Sequence, residues 1–150
     1  RAAENLDFLT ALKNASRENC YRVIERFQLT DYLKLPVTAL EAGVYQRLAL
    51  ACALLNEPEL LLGDDLFQSI DPASRHIILR ELREYLACGG TCILSFNNMD
   101  AYSKTDLYSI ISRVGWLEQG RLTVYQPGEA REQWEDRLKS FAEQSGELHA

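Results

Sequence analysis

The sequence predicts an α/β protein in which a parallel sheet core follows a helical region at the N-terminal end. Two short apolar runs, residues 60–62 and 91–96, are bounded by proline, glycine or asparagine, which is typical of buried strands. Residues 73–88 between them carry the apolar spacing of an amphipathic helix. Strand, helix and strand in this order predict a right-handed parallel crossover.

Helical spacing dominates the chain before the first strand. Residues 6–12 predict one helix, and Ser16 is a suitable N-cap for a second helix that continues to Phe27. Residues 29–37 hold turn formers and predict a loop. Residues 45–55 have high helix propensity and are apolar nearly all round, which predicts a largely buried helix.

Both apolar runs are short and lack alternation, which favours strands that are buried on both faces. Asp71 and Pro72 supply an N-cap and a first-turn proline for the helix between them. Residues 109–117 and 121–125 predict a further pair of strands around a tight turn, and residues 129–144 predict a charged amphipathic helix.

Composition excludes several classes of function. The net charge of −6 argues against a protein that binds the phosphate backbone of nucleic acids. The four cysteines lie on apolar stretches without a CxxC pair, so free thiols in a reducing compartment are expected and zinc is not. Neither a membrane-spanning run nor a signal peptide is evident, which predicts a cytoplasmic location.

Two adjacent carboxylates, Asp64 and Asp65, end the first apolar run. Loops beyond the carboxyl ends of parallel strands are where open α/β sheets bind ligands. One carboxylate there can hold magnesium, and a second can orient an attacking water. The pair taken alone favours a solvated turn over a site, because aspartate is common after strands.

The residues on both sides of Asp64 and Asp65 form a longer stretch with recognisable motifs. Residues 40–75 read LEAGVYQRLALACALLNEPELLLGDDLFQSIDPASR. This stretch resembles the ATPase domain of ABC transporters, from the signature motif through the Walker B strand to the D-loop, and the likeness runs over about residues 4–122. It implies a partial domain of the P-loop NTPase fold: a helical and signature region at 1–57, Walker B, D-loop and switch segments of the sheet core at 58–126, and a C-terminal helix at 127–150.

The resemblance implies roles for the two acids and for a switch position. Asp64 matches the Walker B acid that holds magnesium, and Asp65 stands where the family has a catalytic glutamate. Because aspartate is shorter by one methylene, its oxygens would fall short by roughly 1–1.5 Å, which can cost about a hundredfold in rate. Asn97 replaces the family's switch histidine and can donate a hydrogen bond but cannot carry charge.

The resemblance also implies a phosphate-binding helix start. Glu41, Ala42, Gly43 and Val44 fall in the signature motif, whose amides and serine would grip a nucleotide held by a partner subunit, and Asp71 matches the D-loop aspartate. Glu41 replaces that serine and places negative charge where phosphate would bind. We therefore expect a weakened composite site.

The 150 residues contain no GxxxxGK[ST] phosphate loop. We therefore expect a degenerate nucleotide-binding domain, with ATP and Mg²⁺ as its cofactors. Its partners would be a second ATPase domain and a transmembrane permease, at the inner face of the membrane. Two alternatives stay open: a non-catalytic scaffold or regulatory domain that has lost nucleotide, and a fragment of an active tandem ATPase.

Overall fold

The computed structural model describes the backbone of residues 1–96 and 109–147, and the side chains of residues 1–96 and 109–137. The chain divides into two compact units, Arg1–Asn97 and Asn98–Ala150. The predicted α/β class is confirmed. In the described residues, no helix is both long enough and apolar enough to cross a membrane.

The first unit begins with three helices. They are α1 (Ala2–Leu12), α2 (Arg17–Arg26) and α3 (Ala42–Leu54). The Ser16 hydroxyl accepts a hydrogen bond from the Asn19 amide at 3.0 Å, as its N-cap position predicts. The predicted loop before α3 holds two short 3₁₀ turns, Thr30–Tyr32 and Val37–Ala39.

The crossover that the sequence predicts follows α3. It consists of β1 (Leu60–Asp64), α4 (Pro72–Ala87) and β2 (Thr91–Ser95). The two strands pair in parallel, with Leu62 opposite Ile93 and Asp64 opposite Ser95. Helix α4 begins at the Asp71 N-cap, and its inward residues Ile77, Ile78 and Leu82 are at most 6% exposed.

The prediction that both strands are fully buried is wrong. Leu61 is 5% exposed, but Leu60, Leu62 and Ile93 are 49%, 69% and 60% exposed. Successive side chains of a strand point to opposite faces of the sheet. One face of this two-stranded sheet is therefore packed, whereas the other presents apolar side chains to solvent.

The second unit contains a hairpin and a helix. The strands are β3 (Val114–Glu118) and β4 (Arg121–Tyr125), which pair antiparallel, and α5 (Pro127–Glu147) follows. Strand β3 begins at Val114 rather than at residue 109 as predicted. The Trp116 and Trp134 rings lie 5.8 Å apart, and the Arg137 guanidinium lies 4.1 Å from the Trp116 ring centroid. These contacts join the hairpin to α5.

Candidate functional site: the strand ends and the start of helix α3

The acid pair lies where the two parallel strands end. Asp64 is exposed at the end of β1, and the Ser95 hydroxyl on the neighbouring strand donates a hydrogen bond to its carboxylate. The Asp65 amide donates to the Ser95 carbonyl at 3.3 Å. Ser95 therefore orients both members of the pair. The sequence carries a signal for this contact, because Ser95 lies near the end of the second apolar run, residues 91–96.

Asp65 turns the chain sharply away from the sheet. Its φ of +46° is left-handed, a conformation that aspartate tolerates better than most residues, and its carbonyl accepts the Gln68 amide at 2.9 Å. Leu66 and Phe67 behind it are 7% and 3% exposed. These two buried side chains anchor the loop, so the carboxylates before it are held at the sheet edge.

The start of α3 packs directly on the start of α4. A Cβ placed on Gly43 would lie 2.0 Å from Asp71 Oδ2 and 2.5 Å from the Ser74 hydroxyl oxygen. Asp71 caps α4 by accepting the Ser74 amide at 2.8 Å. The hydrogen bonds from the Ser74 hydroxyl and amide hold the pKa of the Asp71 carboxyl below its ordinary value. The Asp71 carboxylate therefore caps α4 and also packs against the first turn of α3.

The remaining signature residues differ in exposure. Glu41 is the N-cap of α3 and makes no side-chain capping bond. Both Glu41 and Ala42 are exposed. Gly43 is buried and Val44 is only 4% exposed, so the Val44 side chain belongs to the core. At this helix start, Glu41 and Ala42 are therefore the two residues of the set whose side chains reach solvent. Asn97 lies outside the described residues.

Sequence reasoning missed Arg47, which is 6% exposed. Its guanidinium donates to the carbonyls of Phe27 and Gln28 at 3.1 Å and 3.3 Å, beyond the end of α2. It also lies 5.4 Å from the Tyr32 ring centroid, and its charge helps to lower the pKa of Asp71. The available signal was a single arginine at helical spacing from Val44, Leu50 and Ala51 on an apolar face.

The residues at this edge of the sheet supply only some of the ligands that Mg²⁺ needs. Asp64 supplies a carboxylate at the end of a parallel strand, which suits a hard cation that keeps several of its waters. Among residues 1–96 and 109–137, however, no group of three or more His, Cys, Asp or Glu side chains could enclose a metal. Any cation here would need further ligands from water, from nucleotide or from residues beyond this set.

Comparisons with known proteins identify relatives for most of the chain. The "Nod factor export ATP-binding protein I" of Sinorhizobium fredii (strain NBRC 101917 / NGR234) is 38% identical over 97 residues, which are 65% of this chain and 27% of that protein. The protein of the same name from Ralstonia nicotianae (strain ATCC BAA-1114 / GMI1000) is 36% identical over 100 residues, 66% of this chain and 31% of that protein. No model of a known protein family matches the chain.

A solved structure shares the fold. The "Structure of ATP binding subunit of ABC transporter" superposes with a TM-score of 0.72 at 22% identity, over 89% of this chain and 55% of that one. The chain spans less than a third of the length of the two relatives above. Over about two thirds of its length, the chain is a homologue of ABC transporter ATP-binding proteins, and its fold is that of an ABC ATP-binding subunit.

Proposed function

We propose that the chain is part of a nucleotide-binding domain of an ABC-type transporter and works as one half of a composite ATP site. To a nucleotide held by the partner domain it would contribute the start of α3 at residues 41–44 and Asp71 of the D-loop. Asp64 and Asp65 at the strand ends would act on a nucleotide held by a phosphate loop next to them. Asp64 would hold the water shell of Mg²⁺, which would offset negative charge on the nucleotide. Asp65 would orient an attacking water, and Asn97 would donate a hydrogen bond to a phosphate oxygen.

The observation that carries the proposal is the charge at the start of α3. A helix N-terminus attracts anions because its first amides are unpaired and its dipole is positive there. Here Glu41 is the N-cap of α3, and the Asp71 carboxylate lies against Gly43, which is in the first turn of that helix. Two negative groups thus oppose a phosphate, so this half of the site should bind nucleotide weakly. A competent partner domain would supply the stronger half.

The phosphate-binding loop would come from protein outside this sequence. The exposed apolar face of β1 and β2 supports this, because parallel sheets are normally covered on both faces. A segment that covers Leu60, Leu62 and Ile93 could also place a glycine-rich lysine loop beside Asp64. The test is to prepare a longer protein that includes this segment and to measure the solvent exposure of these three side chains. We expect their exposure to fall.

A permease subunit is the proposed membrane partner, and α1 offers a surface for it. Phe8 and Leu12 lie one helical turn apart and are 65% and 68% exposed, and Tyr21 of α2 is 67% exposed. A pair of exposed apolar side chains such as Phe8 and Leu12 can form part of a protein interface. Replacing Phe8 and Leu12 by serine should reduce copurification with the permease without lowering the melting temperature.

The test of the composite site is nucleotide titration of the chain beside a competent ATPase domain, with Mg²⁺ and a non-hydrolysable ATP analogue. Glu41→Ser restores the family's residue and should tighten binding about tenfold, a gain of about 1.4 kcal/mol. Glu18→Ser removes an exposed acid of α2 as the matched control. Equal affinity in both variants would show that Glu41 does not weaken the site.

The non-catalytic scaffold remains the second candidate. It is favoured by the burial of Val44 at 4% exposure, since that side chain is not available to a ligand, and by the replacement of the switch histidine by Asn97. Absence of nucleotide binding in both the wild-type chain and Glu41→Ser, with the competent partner present, would support the scaffold.

A further inference from the structure

A concave site lies in the first unit, away from the C-terminal ends of β1 and β2. It is a cleft of about 380 Å³ between the second half of α2, the end of α3 and the second half of α4. Its volume is within the range of small ligand pockets. None of the residues assigned above to nucleotide or magnesium lines it. The cleft is therefore not explained by the proposed ATP site.

The floor of the cleft is apolar and firmly held. Phe27 is 1% exposed, and Leu54, Pro58 and Tyr85 are half-buried around it. The Tyr85 hydroxyl donates to the carbonyls of Pro58 and Thr91 at 2.9 Å and 3.1 Å. The Tyr85 ring also covers Gly90 so closely that a Cβ there would lie 2.4 Å from it. The ring is thus fixed as one wall.

The rim carries more negative than positive charge. Four glutamates and two arginines line the cleft. Arg22 pairs with Glu57, and the buried Glu81 pairs with both Arg26 at 2.5 Å and Arg80 at 2.8 Å. Among the described residues, Glu59 and Glu84 have no ion-pair partner, so these two carboxylates are open to a cation from outside the chain.

Helix dipoles add to this negative potential. The cleft is lined by the C-terminal parts of α2, α3 and α4, and a helix carries a partial negative charge at its C-terminal end. Two of the chain's own cations donate to carbonyls of these helix ends beside the cleft: Lys13 donates to Ala53 at 3.0 Å, and Arg80 donates to Arg26 at 2.5 Å.

We propose that this cleft binds a segment of a partner protein that presents an arginine or lysine beside an apolar side chain. The cationic group would lie between Glu59 and Glu84, and the apolar side chain would pack on Leu54, Pro58 and Tyr85. A small polyamine supplies the charge but not the apolar part. An anionic ligand would face the two unpaired carboxylates.

Cys88 allows the binding to be measured at the cleft itself. It lines the cleft and is exposed, so its alkylation by iodoacetamide should be slowed by an occupant. The probe is an acetylated, amidated pentapeptide of alternating leucine and arginine. Its control is the same peptide with citrulline, which keeps the shape but carries no charge. Mass spectrometry of the Cys88-containing fragment gives the alkylation rate at increasing peptide concentration.

The arginine peptide should protect Cys88 at submillimolar concentration, and the citrulline peptide should bind at least about tenfold more weakly. In the whole chain, Glu59→Gln with Glu84→Gln should weaken the arginine peptide by about fivefold for each carboxylate removed. Glu25→Gln with Glu132→Gln changes the net charge equally outside the cleft and should leave binding unchanged.

Three results with the peptides would overturn the proposal. They are no protection by the arginine peptide up to millimolar concentration, equal protection by the citrulline peptide, and equal loss of binding in the cleft variant and its charge-matched control. Protection by spermidine at the concentration at which the arginine peptide acts would also overturn it, because the apolar floor would then contribute nothing.

Discussion

The Asp71 carboxylate lies against the backbone of Gly43, so that a Cβ on residue 43 would stand 2.0 Å from Asp71 Oδ2. This contact joins the start of α3 to the start of α4. In the proposed site, it also brings a negative charge into the turn that would receive a phosphate. The same contact makes residue 43 unusually sensitive to substitution.

Gly43→Ala should destabilise the chain although alanine is the better helix former. Overpacking costs about 1–3 kcal/mol, because the neighbouring oxygen and the Ser74 side chain must both move. The free energy of unfolding in urea, followed by circular dichroism, measures the change. Ala49→Gly, at an exposed position of α3, is the control and should lose about 0.5–1 kcal/mol. A more stable Gly43→Ala variant would contradict the close approach.

The ionised Asp71 should stabilise the fold above the ordinary carboxyl pKa and lose this effect in acid. Because the pKa of Asp71 is lowered in the folded chain, its contribution is present above pH 3.8, the ordinary value, and disappears as the pH falls through the lower folded value. The difference in unfolding free energy between wild type and Asp71→Asn should therefore shrink as the pH is lowered from 6 to 2.5.

Asp71→Ala is the control for this titration. Relative to Asp71→Asn it loses the N-cap hydrogen bond, at a cost of about 1 kcal/mol. Neither variant titrates at this position, so the difference between the two should not depend on pH. A gap between wild type and Asp71→Asn that grows in acid would show that the Asp71 pKa is not lowered.

Arg47 should be among the most sensitive polar residues of the helical region. Arg47→Met keeps the aliphatic length but leaves the Phe27 and Gln28 carbonyls without their donor. Hydrogen bonds to charged groups are worth about 1.5–3 kcal/mol, so a loss of that size is expected in urea unfolding. Lys34→Met, at an exposed position, should change stability by less than about 0.5 kcal/mol. Similar losses in both variants would contradict the assigned role.

The cysteines should react with alkylating reagents at very different rates. Burial raises the pKa of both Cys52 and Cys92 to about 11. Their thiolate fraction at pH 8 is then about one in a thousand. Cys88 is exposed and should be modified first, whereas Cys20 is buried. Mass spectrometry of timed iodoacetamide reactions measures the order, and Cys88→Ser should remove the fast phase. Rapid modification of Cys52 would contradict the packing of α3.

The local elements were predictable because their signals lie within a few residues of one another. Ser16 and Asp71 cap helices by bonding amides three residues ahead, and Gly89 ends α4 with a φ of +93°. The order of strand, helix and strand likewise follows from apolar periodicity and turn residues. The acid pair at the end of β1 was found in the same way, since strand ends are visible in the sequence.

The sequence by itself thus determined the element order, the helix caps, the parallel crossover and the position of Asp64 and Asp65. Tertiary structure alone decided that Arg47 is buried, that Gly43 lies against Asp71, and that Leu62 and Ile93 are exposed. The physical reason is range: a cap depends on neighbours along the chain, whereas burial depends on which distant segments pack against a residue. The sequence of an apolar strand is the same whether other segments cover its second face or that face is exposed to solvent.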